Sequence, residues 1–249
     1  MKTTLITHIY NEEYLLPLWL SHHRPLFDNL VVIDYRCTDS SLQLCRDLWD
    51  GCTIIPTRNA EFDAAHVDSE VMDIERTIPG IKMVLNTTEF LFCETPITSL
   101  FMINPASYSV IAVSPYSNTM STFGDGGTLV SKLLGDDVSY NADRGCRQIH
   151  SFTHGNYTLG RHGTNNPTRD TGRLHIVWLG YFPMSDELLK RKCQITISSR
   201  DRNAGYGIHH TFPRERLLEI NNQKVNTGTP LSTCNPAVYR MLTSRRKLD

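Results

Sequence analysis

Residues 4–41 read TLITHIYNEEYLLPLWLSHHRPLFDNLVVIDYRCTDSS. An apolar strand carrying Leu5, Ile6 and Ile9 runs into Tyr10-Asn11-Glu12-Glu13. Leu15/Trp19 and Leu16/Leu20 then recur four apart, the spacing of one helix face, with Pro17 forcing a kink or a fresh helix start. A second apolar strand over 30–34 ends at Asp34, and Thr38-Asp39-Ser40 lies just beyond it. This is a βαβ opening with polar residues gathered where both strands stop. Open α/β sheets bind ligands outside the carboxyl ends of their strands, so Tyr10, Glu12 and Asp34 are expected to line one crevice.

The alternation continues outward from this unit. The patterns predict a helix over 40–49, a strand over 53–56 and a helix over 68–78 stopped by Pro79-Gly80. A strand follows over 81–85, ending at Asn86-Thr87-Thr88-Glu89. Alternation of this kind predicts an α/β fold with a mainly parallel central sheet flanked by helices. A strand is expected over 108–113, whereas 135–147 is polar without a clear period. A helix is expected over 185–193, opened by Ser185 with Asp186 and Glu187 in its first turn. Lys190-Arg191-Lys192 reads as a solvated helix end or as part of a late lid, as does the region through Ile208-His209-His210. No linker or repeat divides the chain. One domain is expected over 1–249, with a nucleotide-binding half (1–92), an acceptor and diphosphate half (93–221) and a tail (222–249).

Composition narrows the class. In 249 residues, 40% hydrophobic and 20% charged content describes an ordinary globule able to bury a core. A net charge of −1 gives no global attraction to nucleic acid or anionic lipid. The basic run Arg245-Arg246-Lys247 reads as a solvated terminus. Seven widely spaced cysteines without a C-x-x-C pair suit reduced thiols in a cytoplasmic setting. No charged-then-apolar leader precedes the first strand, and no apolar run approaches the roughly 18 residues of a membrane span.

With these motifs in view, the chain resembles nucleotide-sugar glycosyltransferases of the GT-A fold, in particular a family 2-like subgroup. The resemblance lies in YNEEYLLP, in IDYRCTDSS with Cys37 where Ser is usual, in LNTTEFL and in GNYTLGRH. It covers about 3–90 closely and 150–215 more loosely. It implies a nucleotide site built from Thr7, His8, Tyr10, Glu12, Asp34, Arg58 and Asp68. In the family the strand ending at Asn86 carries D-x-D followed by Glu, which holds Mn²⁺ or Mg²⁺ on the diphosphate. Here Asn86 and Thr88 replace both aspartates and Glu89 alone keeps its charge. A weak divalent metal site, or one completed by bound nucleotide, is therefore expected at Asn86, Thr88, Glu89 and His154. Arg161, His162 and Glu89 are the expected catalytic residues, the first two opposing charge on the leaving diphosphate.

Each motif also has a plainer reading. Asn11-Glu12-Glu13 and Thr38-Asp39 suit helix caps, and Asp68 and Glu70 suit an acidic first turn. His150 and His154 are four apart, but the glycines that follow favour a loop over a zinc-binding helix. The function expected is transfer of a hexosyl or deoxyhexosyl group from a nucleoside diphosphate, with UDP-sugar the expected donor, to a carbohydrate or other hydroxyl acceptor in glycan biosynthesis. Neither a nucleic-acid partner nor a transmembrane segment is expected. The rivals are a non-catalytic sugar-nucleotide or glycan-binding module and, further off, a sugar nucleotidyltransferase. The last would carry a Gly-rich basic loop after the first strand, where this chain has His8-Ile9-Tyr10-Asn11-Glu12.

Overall fold

A computed structural model describes residues 1–102 and 106–246. The opening unit is β1 (Thr3–Ile9), α1 (Leu16–His23) and β2 (Asn29–Asp34), as its pattern predicts. There follow α2 (Ser41–Leu48), β3 (Thr53–Pro56), α3 (Ala64–Glu75), β4 (Ile81–Val84) and β5 (Glu89–Cys93). The second half carries β6 (Ser107–Tyr116), α4 (Leu129–Leu133), β7 (Ser139–His150) and β8 (Arg169–Trp178). Helices α5 (Asp186–Cys193), α6 (Ser199–Ala204), α7 (Arg214–Thr227), α8 (Leu231–Cys234) and α9 (Pro236–Arg246) close it.

The strands form one sheet in the order β3-β2-β1-β4-β7-β6-β8-β5. The first four are mutually parallel. Beyond them β7 runs antiparallel to both β4 and β6, β8 is parallel to β6, and β5 is antiparallel to β8. The α/β class with helices flanking a central sheet holds; the first half is wholly parallel, and the second is mixed, with β6 and β8 its parallel pair. No helix among the described residues is long and apolar enough to cross a membrane.

Strand alternation decides which residues reach the site. Leu5 and Ile9 of β1 pack with Leu30 and Val32 of β2 against Leu16, Trp19 and Leu20. Ile6, Val31, Ile33 and Tyr35 face the other way, against Val67 and Val71 of α3. His8 shares the parity of Ile6, whereas Thr7 and Asp34 share that of Leu5 and Val32.

Two elements differ from their sequence patterns. The helix expected over 68–78 begins at Ala64, because the Asp63 carboxylate accepts the His66 N–H at 3.1 Å as its cap. Asp68 and Glu70 are therefore buried residues inside a helix and not its acidic first turn. The stretch 135–147 contributes most of β7, which is paired with β6 along a register that shifts twice. Those irregularities erase the period of two. Ser185 caps α5 as expected, accepting the Leu188 N–H at 3.1 Å. In the basic tail Arg245 lies over the Phe92 ring at 5.3 Å, and Lys247 falls outside the described residues.

Helix α1 is fastened to β5 by side chains rather than by apolar contact alone. The Trp19 indole donates to the Glu89 carbonyl at 2.9 Å. His23 Nδ1 donates to the Trp19 carbonyl at 2.8 Å while its Nε2 accepts the Leu91 N–H at 3.1 Å. His22 Nε2 donates to the Leu91 carbonyl at 2.7 Å. Accepting at Nε2 keeps the His23 imidazole neutral, and burial outweighs the Leu91 bond to keep that of His22 neutral. Burial pushes the pKa of His22 down to about 4 and that of His23 well below its ordinary value. A histidine whose folded pKa is depressed contributes stability that is complete above about pH 6.5 and is lost as pH falls toward the folded value. Unfolding free energy should accordingly fall between pH 6.5 and pH 4, His22 alone accounting for about 3 kcal/mol. Urea titrations across that range measure it, and a stability flat with pH would contradict the assignment.

Candidate functional site

The chain leaves β1 for β2 and β3 on one side, then returns through α3 to place β4 on the other side of β1. The crevice outside the carboxyl ends of β1 and β4 is therefore a topological switch point. A cleft of about 960 Å³ opens there. It lies near the upper end of ligand-pocket volumes, about 300–1,000 Å³. Its walls include His8 on β1, Tyr10 and Glu12 just after it, Tyr35 and Arg36 after β2, and Asn86 to Thr88 after β4.

Three buried arginine–carboxylate pairs join these strand ends to the second half of the chain. Glu12 takes the Arg191 guanidinium with both carboxylate oxygens, one contact at 2.6 Å, and Arg191 also donates to Thr87 Oγ1 at 3.0 Å. Asp68 accepts from Arg161 Nη1 at 2.6 Å and from the Gly160 N–H at 2.6 Å. Arg161 also donates to Asn86 Oδ1 at 3.2 Å. Glu89 accepts from Arg147 Nη2 at 2.7 Å and Nε at 3.0 Å, and from the Asn86 N–H at 2.8 Å. Arg147 Nη1 donates onward to the Gly160 carbonyl and to His162 Nδ1, each at 3.0 Å. An arginine only donates, so His162 accepts at Nδ1 and carries its proton on Nε2.

The loop bearing Gly160-Arg161-His162 is braced from behind. Glu75, at the end of α3, accepts from the Tyr157 hydroxyl at 2.6 Å and the Gly155 N–H at 2.6 Å, and meets His150 Nε2 at 3.0 Å. These bonds hold the Glu75 carboxyl below the usual range against the opposing effect of burial. A Cβ on Gly155 would lie 1.9 Å from the Tyr157 ring, so only glycine lets the ring close over the chain. Arg161 itself has φ 58°, in the left-handed region that non-glycine residues seldom adopt. Asn11 (φ 51°) and Arg36 (φ 65°), at the ends of β1 and β2, share that conformation. Backbone strain is thus concentrated around the cleft.

An aromatic corner closes one side. His8 lies edge-on to Tyr35 at 5.9 Å and tilted against Phe62 at 5.7 Å. The Tyr35 hydroxyl donates to Glu70 at 3.1 Å. Glu70 also accepts from Thr57 Oγ1 (2.7 Å), the Arg58 N–H (2.6 Å) and Asn59 Nδ2 (2.9 Å), and so fixes the turn after β3. Burial, with Arg161 and Arg147 nearby, pushes the His8 pKa well below its ordinary value. On another wall the Lys192 ammonium stands 3.9 Å from the Tyr181 ring centroid and 5.3 Å from that of Trp178, and donates to the Gly180 carbonyl at 3.2 Å.

Of the residues singled out from sequence, His8, Tyr10, Glu12, Asp68, Asn86, Thr88, Arg161 and His162 line this cleft. Glu89 lies just behind Asn86, committed to Arg147. Thr7 is buried on the opposite face of β1, and Asp34 turns to accept the Cys37 N–H at 2.8 Å. Arg58 is paired with Asp73 at 2.5 Å on the outer face of α3, and His154 accepts the Asn156 N–H at 3.1 Å outside the cleft. Sequence reasoning missed Tyr35, Arg147, Arg191 and Lys192. Lys192 was legible: Leu188 and Lys192 are four apart on α5, which puts Lys192 on the buried face rather than at a solvated end.

No protein-family model matches the sequence, and no curated protein matches it. Among solved structures, the chain is similar in part to glucosyl-3-phosphoglycerate synthase from Mycobacterium tuberculosis in complex with Mn²⁺, UDP and glucosyl-3-phosphoglycerate. That likeness has 13% identity and a TM-score of 0.33, over 45% of this chain and 44% of that one. It is also similar to residues 1–349 of S. aureus TarS, with 14% identity and a TM-score of 0.37 over 61% of this chain and 47% of that one. The TarS fragment in complex with UDP-GlcNAc gives 15% identity and a TM-score of 0.33 over 55% and 39%. This chain spans less than half the length of each of these structures. Likenesses this partial carry no argument about activity.

The metal implied by the sequence resemblance can be tested against the donor set. Mn²⁺ and Mg²⁺ require oxygens able to turn toward them. Both oxygens of Glu12, Asp68 and Glu89 are taken up by arginines or backbone N–H groups, and Asn86 Oδ1 accepts from Arg161. Among the described residues no three His, Cys, Asp or Glu side chains converge on one point. The residues present do not fit a divalent ion.

The Arg161–Asp68 pair is the joint between α3 and the loop. Asp68→Asn should cost about 3–5 kcal/mol by leaving a buried guanidinium unpaired. Adding Arg161→Gln should return part of that loss, giving a coupling energy of about 1–3 kcal/mol in a double-mutant cycle. Additive losses in chemical denaturation would show that the pair is not a coupled joint.

Proposed function

We propose that the protein is a glycosyltransferase that moves a sugar from a nucleoside diphosphate, a UDP-sugar in the first instance, to a hydroxyl acceptor of carbohydrate type. One observation carries this reading. The switch-point cleft brings the Tyr10–Glu12 turn, the Asn86–Thr88 strand end and the Arg161–His162 loop to one place. These are the segments on which the sequence resemblance rests, drawn from three distant parts of the chain.

The aromatic corner formed by His8, Tyr35 and Phe62 suits the base of the nucleotide. Arg36, Arg161, Arg191 and Lys192 give the cleft a cationic excess over Glu12, Glu61 and Asp68. In the transfer the acceptor oxygen bonds to the sugar's anomeric carbon as the bond from that carbon to the diphosphate breaks. The leaving oxygen keeps the electron pair, and the acceptor proton passes to a base or to solvent. In this reading Arg161 and the Nε2–H of His162 oppose the charge growing on the diphosphate.

A second reading, a module that binds nucleotide-sugars without turning them over, is favoured by one feature. Glu12 and Asp68, two of the three cleft carboxylates, are already locked in ion pairs and so are poor general bases. His162→Ala separates the two readings. In a transferase it should lower the release of UDP from a UDP-sugar by about 10²–10³ while calorimetric affinity stays within a few-fold. Pure wild-type protein that binds UDP-sugars but releases no UDP, with or without acceptor sugars, would make it a binding module.

A further inference from the structure

We infer that the cleft receives the diphosphate of its nucleotide on the protein's own cations, without a bridging divalent ion. The inference rests on the nucleotide-sugar reading above and departs from what the sequence resemblance implies. A metal-dependent diphosphate site needs carboxylates that point at the metal and have oxygens to spare. Here Glu12, Asp68 and Glu89 are each spent on an arginine of the second half of the chain. Freeing any of them for a cation would strand a buried guanidinium, the costly way to break such a pair. The two positions where the resemblance expects aspartate hold neutral side chains, and one of them, Asn86, accepts from Arg161.

The same residues meet the needs of an anion. Arg161 is buried, lines the cleft and has an Nε–H with no acceptor in the protein. A buried donor of this kind is expensive unless a ligand oxygen satisfies it. Lys192 is buried in another wall of the same cleft, where its ammonium lies against the π faces of Tyr181 and Trp178. The three ion pairs cancel locally, which leaves Lys192 and Arg36 against Glu61 among the other charged residues of the lining, a net positive balance. Phosphate oxygens arriving there would take the place that a metal and its carboxylates hold elsewhere. Arginine and lysine are suited to this because they donate several N–H bonds to tetrahedral oxygens.

Calorimetry tests this on the intact protein, with UDP and GDP as probes, once in excess EDTA and once in Mn²⁺. The expected result is binding of at least one of them in EDTA, with affinity in Mn²⁺ changed by less than about threefold. Electron paramagnetic resonance gives an independent reading. The free Mn²⁺ signal should be no smaller with protein and nucleotide than with nucleotide alone. Lys192→Met, close in volume and without charge, should weaken binding in EDTA by about tenfold, with Mn²⁺ unable to restore it. Binding that needs Mn²⁺, or tightens tenfold or more with it, would overturn this inference and leave the glycosyltransferase reading standing. Failure of both nucleotides to bind under either condition would overturn both.

Discussion

The site depends on three salt bridges that cross from one half of the chain to the other. Glu12, Asp68 and Glu89 belong to the strand–helix alternation of the first half, and Arg191, Arg161 and Arg147 to the irregular second half. Each pair spans a sequence separation of 58 residues or more. Buried charge of this kind adds little net stability over a well-packed apolar contact, but it punishes wrong pairings severely. Three such pairs around one crevice therefore fix how α5, β7 and the 155–163 loop meet the carboxyl ends of β1 and β4.

The parts of the molecule legible in sequence are those governed by local period. β1, α1, β2 and β3 follow from runs whose hydrophobic spacing matches a strand or a helix. What escaped was set by tertiary partners. The β7 strand is bulged against β6, so its apolar positions drift out of phase. The sequence pattern puts the start of α3 too late because Asp68 and Glu70 look like an acidic first turn. Asp63-Ala64-Ala65, a cap followed by two strong helix formers, lay five residues upstream. At the site, the motif points to Asp34, which does not line the cleft. Pleating turns Asp34 to the α1 side, and it is Tyr35, one residue on, that reaches the cleft.

The bracing behind the cleft gives the histidine-rich segment a structural role. Read alone, His150 and His154 suggest metal ligands. In the fold His150 is a fully buried partner of Glu75 and Tyr157, and its work is to hold the loop that presents Arg161. Arg161 then sits in a left-handed backbone conformation that costs on the order of 1 kcal/mol or more. That conformation persists because Asp68 grips both its guanidinium and the Gly160 N–H. A two-point grip on consecutive residues leaves the loop little freedom to relax.

The neutral residues at 86 and 88 and the arginines around them are one arrangement rather than two independent features. Aspartates at these positions, beside Glu89 and within reach of Glu12 and Asp68, would gather enough negative charge to demand a metal or a proton. With Asn86 in place, the side-chain oxygen accepts a single bond from Arg161, and its backbone N–H is bound by Glu89. The strand end is thereby tied to both Arg161 and, through Glu89, Arg147. Glu12, Asp68 and Glu89 are matched in place, and Lys192 and Arg36 outnumber Glu61, the remaining carboxylate of the lining. A cleft balanced in this way is electrostatically complete without an ion and one partner short without an anionic ligand.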